Sequence, residues 1–213
     1  DPIVEQRPSI RTRRMRFRVI PLMATAVAMV AACSAKSTAP AATSTNNGSG
    51  GGTGGTGALT VVSSGASNGT LPTTYTCDGG SQSPPLAWSG APSGTTGYAM
   101  IMTTIPSPGT VKYNWILYNI PATATGLPEG VPKGSQLADG SYQISATGPM
   151  YRGPGAGANG PFHHYVFELY ALDTKLDVKP GADAFESRAL VMKAIQGHVL
   201  AKAVYWGTFR RPK

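Results

Sequence analysis

His163 and His164 stand side by side in "NGPFHHYVFELYALD", in a chain of 213 residues with three histidines. Adjacent imidazoles suggest a metal site, a general base, or donors to an anion. The run that follows alternates like a strand, where neighbouring side chains point to opposite faces, so one ion cannot easily take both rings. Cys33 and Cys77 are the only thiols, and with scattered histidines they lack the spacing of a closed zinc site. Asp78, Glu129, Asp139, Glu168, Asp173, Asp177, Asp183 and Glu186 contain no pair spaced for acid–base partnership. Asp173 and Asp177 bracket a turn, and Asp78 opens another, where it can bond the neighbouring backbone.

Two strings imitate catalytic or cofactor motifs. Gly65-Ala66-Ser67-Asn68-Gly69 fits G-x-S-x-G, but "TLPTTY" follows it where the nucleophile elbow needs a helix. Gly155-x-Gly157-x-x-Gly160 fits the dinucleotide fingerprint but precedes a strand and lacks the βαβ setting. Neither string supports its motif, and no cofactor and no metal are expected. A cryptic hydrolase using Ser67 or His163 is the third reading, without a base partner in view.

The elements that must position these residues are mostly strands. "ALTVVSS", "GYAMIMTTI", "YNWILYNI", "HHYVFELYALD" and "VLAKAVYWGTF" are β-branched or aromatic runs bounded by Gly, Pro, Asn or Asp. One helical period spans 182–196, with Ala184, Ala189, Leu190 and Ile195 on one face and Gly197 as the stop. Strands without alternating helices predict antiparallel sheets and a mainly β domain over 58–213. That length suffices for one core.

Residues 1–32 read as an upstream extension and a lipoprotein signal peptide. A basic segment containing Met15, the expected start, runs into "PLMATAVAMVAAC", an apolar stretch too short to span a bilayer. The small residues closing on Cys33 resemble a bacterial lipobox, which makes Cys33 the expected lipidation site. Ser34 after it, in place of an aspartate, resembles outer-membrane sorting. Residues 33–57 then form a Gly/Ser/Thr tether without the large apolar residues needed to order it. The predicted location is the bacterial cell envelope, with the lipid on Cys33 as the membrane contact. If Cys33 is acylated, Cys77 has no intrachain disulfide partner.

The net charge is +8, and half of it comes from six arginines against Asp1 and Glu5 in residues 1–32. The remainder is a weak argument for nucleic acid, which is not expected as a partner, and a modest one for an anionic membrane surface.

Four strings occur in an order similar to that in phosphatidylethanolamine-binding proteins. They are "LPTTYTCDGGSQSPPLAWSGAPSGTTGYAMIM", "WILYNIPATATGLPEGV", "YRGPGAGANGPFHHYVFELYALD" and "IQGHVLAKAVYWGTFRR". The domain most resembles the bacterial branch related to Raf kinase inhibitor protein, across essentially all of 58–213. The resemblance implies antiparallel β-sheets in a Greek-key arrangement, with one or two helices near the C-terminus. It also implies a small anion pocket for phosphate-like head groups, and no enzymatic activity.

In the family three stretches form that pocket, and this chain departs from each. Where an Asp-Pro-Asp-x-Pro segment is expected, Thr104, Ile105 and Pro106 stand, with Pro108 retained. The His-Trp pair is Asn114-Trp115 here. The Gly-x-His-Arg-Tyr segment keeps His163 and Tyr165, while Pro161 and His164 replace its glycine and arginine. Tyr151, Arg152 and Pro154 resemble the loop over the pocket. The implied ligand-binding set is His163, Tyr165, Asn114, Thr104, Pro108, Tyr151 and Pro154, with Arg152 as a helper.

Loss of the aspartates removes the charge that would hold a pocket histidine protonated, so a weakened, degenerate anion pocket is expected. A neutral or polar ligand is then as credible as an anionic one, and a protein partner engaged through the pocket rim is the main alternative. His164 is expected to make hydrogen bonds at the domain edge, and His198 to be structural. Trp88, Trp115 and Trp206 should be core or pocket wall, and Cys77 a small buried apolar side chain.

Overall fold

The computed structural model describes residues 58–66, 69–105 and 111–213. The expected lipidation site Cys33, the tether, Ser67 and Pro108 lie outside them. Strands β1 (Thr60–Val62), β2 (Leu86–Ser89) and β5 (Gly126–Leu127) form a small sheet in the order β1-β2-β5. Strands β3 (Gly97–Ile105), β4 (Lys112–Pro121), β6 (Tyr142–Ile144), β7 (His163–Leu172) and β8 (Val199–Phe209) form a second, ordered β6-β4-β3-β7-β8. All pairings between these strands are antiparallel. β3, β4 and β6 lie side by side, and β7 returns to the far edge of β3, which is the expected Greek-key order.

β3 is buried on both faces because the large sheet is covered on both. Tyr98, Met100 and Met102 pack with Trp115, Leu117, Phe167 and Leu169 against Val61, Leu86 and Trp88 of the small sheet. Ala99 and Ile101 face the other way and pack with Ile116, Tyr118 and Tyr170 under helix α1 (Ala184–Ala194).

The helix begins where Asp183 caps it, accepting from the N–H groups of Phe185 and Glu186 at 2.8 Å each. Gly197, with φ +79°, ends the following turn in a conformation that suits glycine. Its buried face is Ala184, Ser187, Val191 and Ile195. The predicted face was wrong in two members: Ala189 is exposed and Leu190 only half-buried. Starting from Ala184, steps of three and four residues reach 187, 191 and 195, and residues 189 and 190 fall to the side of that stripe.

Two single-residue bulges let residues 112–121 of β4 pair with residues 97–104 of β3. Against β3 the pairing passes from Trp115↔Met102 to Tyr113↔Thr103, and from Ile120↔Tyr98 to Tyr118↔Ala99. The residues left over are Asn114 and Asn119. A bulge lets consecutive side chains share a face, so Asn114 and Trp115 both lie buried on the small-sheet side.

Candidate ligand-binding site

The site forms at one end of the large sheet, where β3 and β8 finish and β4 and β7 begin. Register sets Thr104 opposite Tyr165, and His163 opposite Phe209. The first bulge turns Asn114 toward Thr104, whose hydroxyl donates to the Asn114 side-chain oxygen. Asn114 Nδ2 in turn donates to the Arg152 carbonyl at 3.0 Å, and the Arg152 N–H returns a bond to the Asn114 carbonyl at 3.0 Å. Thr104 and Asn114 are 5% and 3% exposed, so both act as a buried clasp on the loop at 150–154.

That loop is fastened again from residues 75–81. Tyr151 donates its hydroxyl to the Tyr75 carbonyl at 2.9 Å and sets its ring edge-on to Trp115, 5.4 Å between centroids. The Cys77 N–H donates to the Pro154 carbonyl at 2.8 Å, and the Gly153 N–H to Ser81 Oγ at 3.1 Å. The backbones approach so closely that a Cβ on Gly153 would lie 2.5 Å from the carbonyl carbon of Thr76 and 2.7 Å from the Cys77 nitrogen. Cys77 is exposed rather than buried, and its thiol donates to the Gly153 carbonyl at 3.0 Å. It starts a short turn that crosses the loop at the surface, so it has no apolar shell.

Tyr165 is 1% exposed, and its hydroxyl oxygen accepts from the Gly155 N–H at 3.2 Å. Burial pushes its pKa up, opposed by the N–H groups of Gly155 and Ala156 and by the Arg152 charge nearby. Burial therefore favours the neutral phenol. Tyr151 is also held neutral, mainly by burial. With two loop N–H groups directed at Tyr165, an anion would rest mostly on side chains.

The two histidines part as strand geometry requires. His163 is half-buried and stacks near Tyr165, 6.4 Å between centroids, while the exposed His164 packs on Trp206 at 5.3 Å on the opposite face. The expected hydrogen bonds of His164 are replaced by this ring contact. Trp206 is 36% exposed and not core, because it stands on the edge strand β8 while α1 packs on β4. Trp88 and Trp115 are core, their indole N–H groups bonded to the Ala124 carbonyl and Gln143 Oε1. His198 Nδ1 lies 2.8 Å from Asp173 Oδ1, the structural role expected of it.

Residues 78 and 211 were not seen together in the sequence. Arg211 binds both oxygens of the Asp78 carboxylate at 2.7–3.0 Å, and reaches the Gly155 carbonyl at 3.3 Å. Their separation of 133 residues leaves no periodic signal for the pair. Among the described residues the Arg152 guanidinium and both His163 nitrogens carry no hydrogen bond or ion pair. No group of three or more His, Cys, Asp or Glu could hold a metal among those residues. A cleft of about 180 Å³ opens at the opposite end of the sheet, near Tyr98, Asn119, Asp139 and Lys175, and contains none of the expected ligand residues.

Comparison with known proteins places this geometry. The phosphatidylethanolamine-binding protein family matches residues 62–210. The chain belongs to that family. It is 43% identical over 145 residues to a UPF0098 protein of Methanothermobacter thermautotrophicus, covering 67% of this chain and 92% of that one. It is 27% identical over 152 residues to the putative lipoprotein LppC of Mycobacterium tuberculosis strain H37Rv, covering 70% and 73%. The crystal structure of Escherichia coli YbcL, described as a new member of the mammalian PEBP family, superposes with a TM-score of 0.62. That match is 26% identical and covers 73% of this chain and 99% of that one.

Proposed function

We propose that the domain is a non-enzymatic binding module for a small phosphate-like group, free or as a phospholipid head group, carried on an envelope lipoprotein. One observation carries the ligand reading: the unengaged His163 imidazole stacks 6.4 Å from the Tyr165 ring, and the unengaged Arg152 guanidinium is near enough for its charge to act on the Tyr165 phenol. Arg152 supplies the fixed charge and Tyr165 a neutral donor. His163 adds charge only when protonated. Thr104 and Asn114 hold the loop that presents Arg152, and Tyr151 and Pro154 brace it. The lipid anchor rests on the sequence leading to Cys33 and on likeness to a relative named a putative lipoprotein. No helix among the described residues is long and apolar enough to cross a membrane.

Titration with inorganic phosphate and phosphoethanolamine, read by the ring signals of His163, tests the ligand reading. Movement of those signals at millimolar ligand, abolished by Arg152→Ala, supports it, and no movement sinks it. Movement confined to Asn119 and Lys175 would shift the site to the opposite cleft.

A second reading, an inhibitor or interaction module acting on a partner enzyme through the pocket rim, draws on the bonding between Thr104 and Asn114, which leaves their side chains little to offer a ligand. A rim interface should survive His163→Ala in a pull-down, whereas a ligand-dependent one should not. A hydrolase would require labelling by a serine-reactive phosphonate.

A further inference from the structure

The cleft of about 180 Å³ at the end of the sheet away from His163 lies where β3 begins and β4 and β7 finish. Thr174 and Lys175 line one side of it, on a loop that the fold holds at several points. Asn119 exchanges two bonds with Leu176, at 2.9 and 2.8 Å, and Leu176 itself is buried. Tyr118 donates its hydroxyl to the Val178 carbonyl at 3.1 Å, and the Asp173 N–H donates to the His198 carbonyl at 3.1 Å. A cleft shaped in advance spares a ligand the cost of ordering its walls. Its lining divides by chemistry. Tyr98, Ile120 and Leu172 are buried and give it an apolar part, while Asp139 and Lys175 add one charge of each sign. No ion pair joins these two among the described residues. The Lys175 ammonium has no hydrogen-bond partner there either. Asp139 spends Oδ1 on the Ser141 N–H at 2.9 Å and hydroxyl at 2.6 Å, and its Oδ2 has no bond.

We propose that this cleft binds a small zwitterion of the α-amino-acid kind, its carboxylate on Lys175 and its ammonium on Asp139. Opposite charges that line one cleft without meeting can each take the complementary end of one ligand. A phosphate-like anion would meet Lys175 but be repelled by Asp139, and a simple cation would meet the reverse. At the roughly 30 Å³ that one water takes, the cleft has room for about six waters. That suits an amino acid with a short side chain, which would leave water against Ile120 and Leu172, and is too little for a nucleotide. This inference does not require the His163 end to bind anything.

The test titrates the isotope-labelled full chain with L-alanine and L-serine. Acetate and methylammonium, which each carry half of the charge pattern, and inorganic phosphate are the comparisons. The readout is the backbone amide signals of Asn119, Ile120, Thr174 and Lys175. At least one of the two amino acids should move them saturably at millimolar concentration. Acetate and methylammonium should bind about tenfold or more weakly, since each forgoes one charge-assisted contact. Lys175→Gln and Asp139→Asn should each raise the amino acid's Kd about tenfold for the same reason. Both residues are exposed, and asparagine keeps an oxygen for Ser141, so both variants should unfold at the parent's urea midpoint. No saturable movement with either amino acid would overturn the proposal. So would an equal response to acetate or methylammonium, an unchanged Kd in either variant, or a stronger response of these amides to phosphate. The phosphate response of His163 reads the other end of the sheet, so either reading can fail alone.

Discussion

Two bulges on one strand, five residues apart, each centre on an asparagine, and each asparagine fastens a loop. Asn119 sits at φ +59° and pairs like a short piece of strand with Leu176, donating Nδ2 to its carbonyl at 2.9 Å and accepting its N–H at 2.8 Å. Asn114 divides its amide, accepting from the Thr104 hydroxyl and donating to the Arg152 carbonyl. At the Asn119 end the bonds close on the backbone. At the Asn114 end they hold out a loop whose next side chain, Arg152, is left unengaged. The same device braces the fold at one end and presents a binding group at the other.

The largest effect should come from closing the space that the second loop needs. Gly153→Ala places a methyl within 2.5–2.7 Å of the backbone at 75–77, where no flexible side chain can give way. A loss of about 2–3 kcal/mol is expected in urea unfolding, with exchange protection falling first at 150–156. A neutral outcome would mean that the Asn114 end is much softer than its hydrogen bonds imply.

The two asparagines themselves should respond differently. Asn119→Ala loses both bonds to Leu176 and places a Cβ residue at positive φ without local bonding, for about 2 kcal/mol or more. Asn119→Gly should recover about 1 kcal/mol of that, because glycine accepts the conformation. Asn114 has no positive φ, so Asn114→Ala and Asn114→Gly should both cost about 1–3 kcal/mol, with glycine no better. Equal rescue by glycine at both positions would erase the distinction between the bulges.

A smaller effect belongs to the Asp78–Arg211 pair, which closes over the outside of the pocket loop. The hydrogen bonds from Arg211 are the leading cause that holds the Asp78 carboxyl below its ordinary value of 3.8. A depressed folded-state pKa contributes stability above the unfolded value, and that contribution is lost as pH falls through the folded one. Urea midpoints of the parent and Arg211→Ala should therefore differ slightly at neutral pH and converge in acid below the ordinary carboxylate range. Both groups are well exposed, so the neutral-pH difference should shrink in high salt.

Much of this fold was legible from pattern. The runs that form β3, β4, β7 and β8 are long, β-branched or aromatic, and bounded by turn residues, and strand alternation alone separates His163 from His164. The bulges were not legible: a bulge changes register without changing composition, and "YNWILYNI" reads as an unbroken strand. The resemblance put Thr104 and Asn114 among the ligand residues, and the extra residue of the first bulge turns them to each other. Arg211 and Asp78 were missed for another reason, since a contact across most of the domain leaves no local trace. Cys77 and Trp206 were misplaced because side-chain type predicts burial only on average: Cys77 stands in a surface turn and Trp206 on the edge strand β8.

The smallest stability effect is the one that bears most on function. Arg152 is held in place by its own backbone, through the N–H to Asn114 and the carbonyl to Asn114 Nδ2, while its guanidinium bonds to none of the described residues. Arg152→Ala should therefore leave the unfolding midpoint within about 0.5 kcal/mol of the parent, as for a surface substitution. Removing its charge should also leave the Tyr165 phenol titrating slightly higher, because Arg152 now opposes the rise caused by burial. A substitution that spares the fold, raises the phenol pKa and removes the phosphate response of His163 would separate the presenting end of β4 from its bracing end. If Arg152→Ala instead destabilises the domain as much as Asn114→Ala, the guanidinium is structural, and the two ends of the strand differ only in which loop they hold.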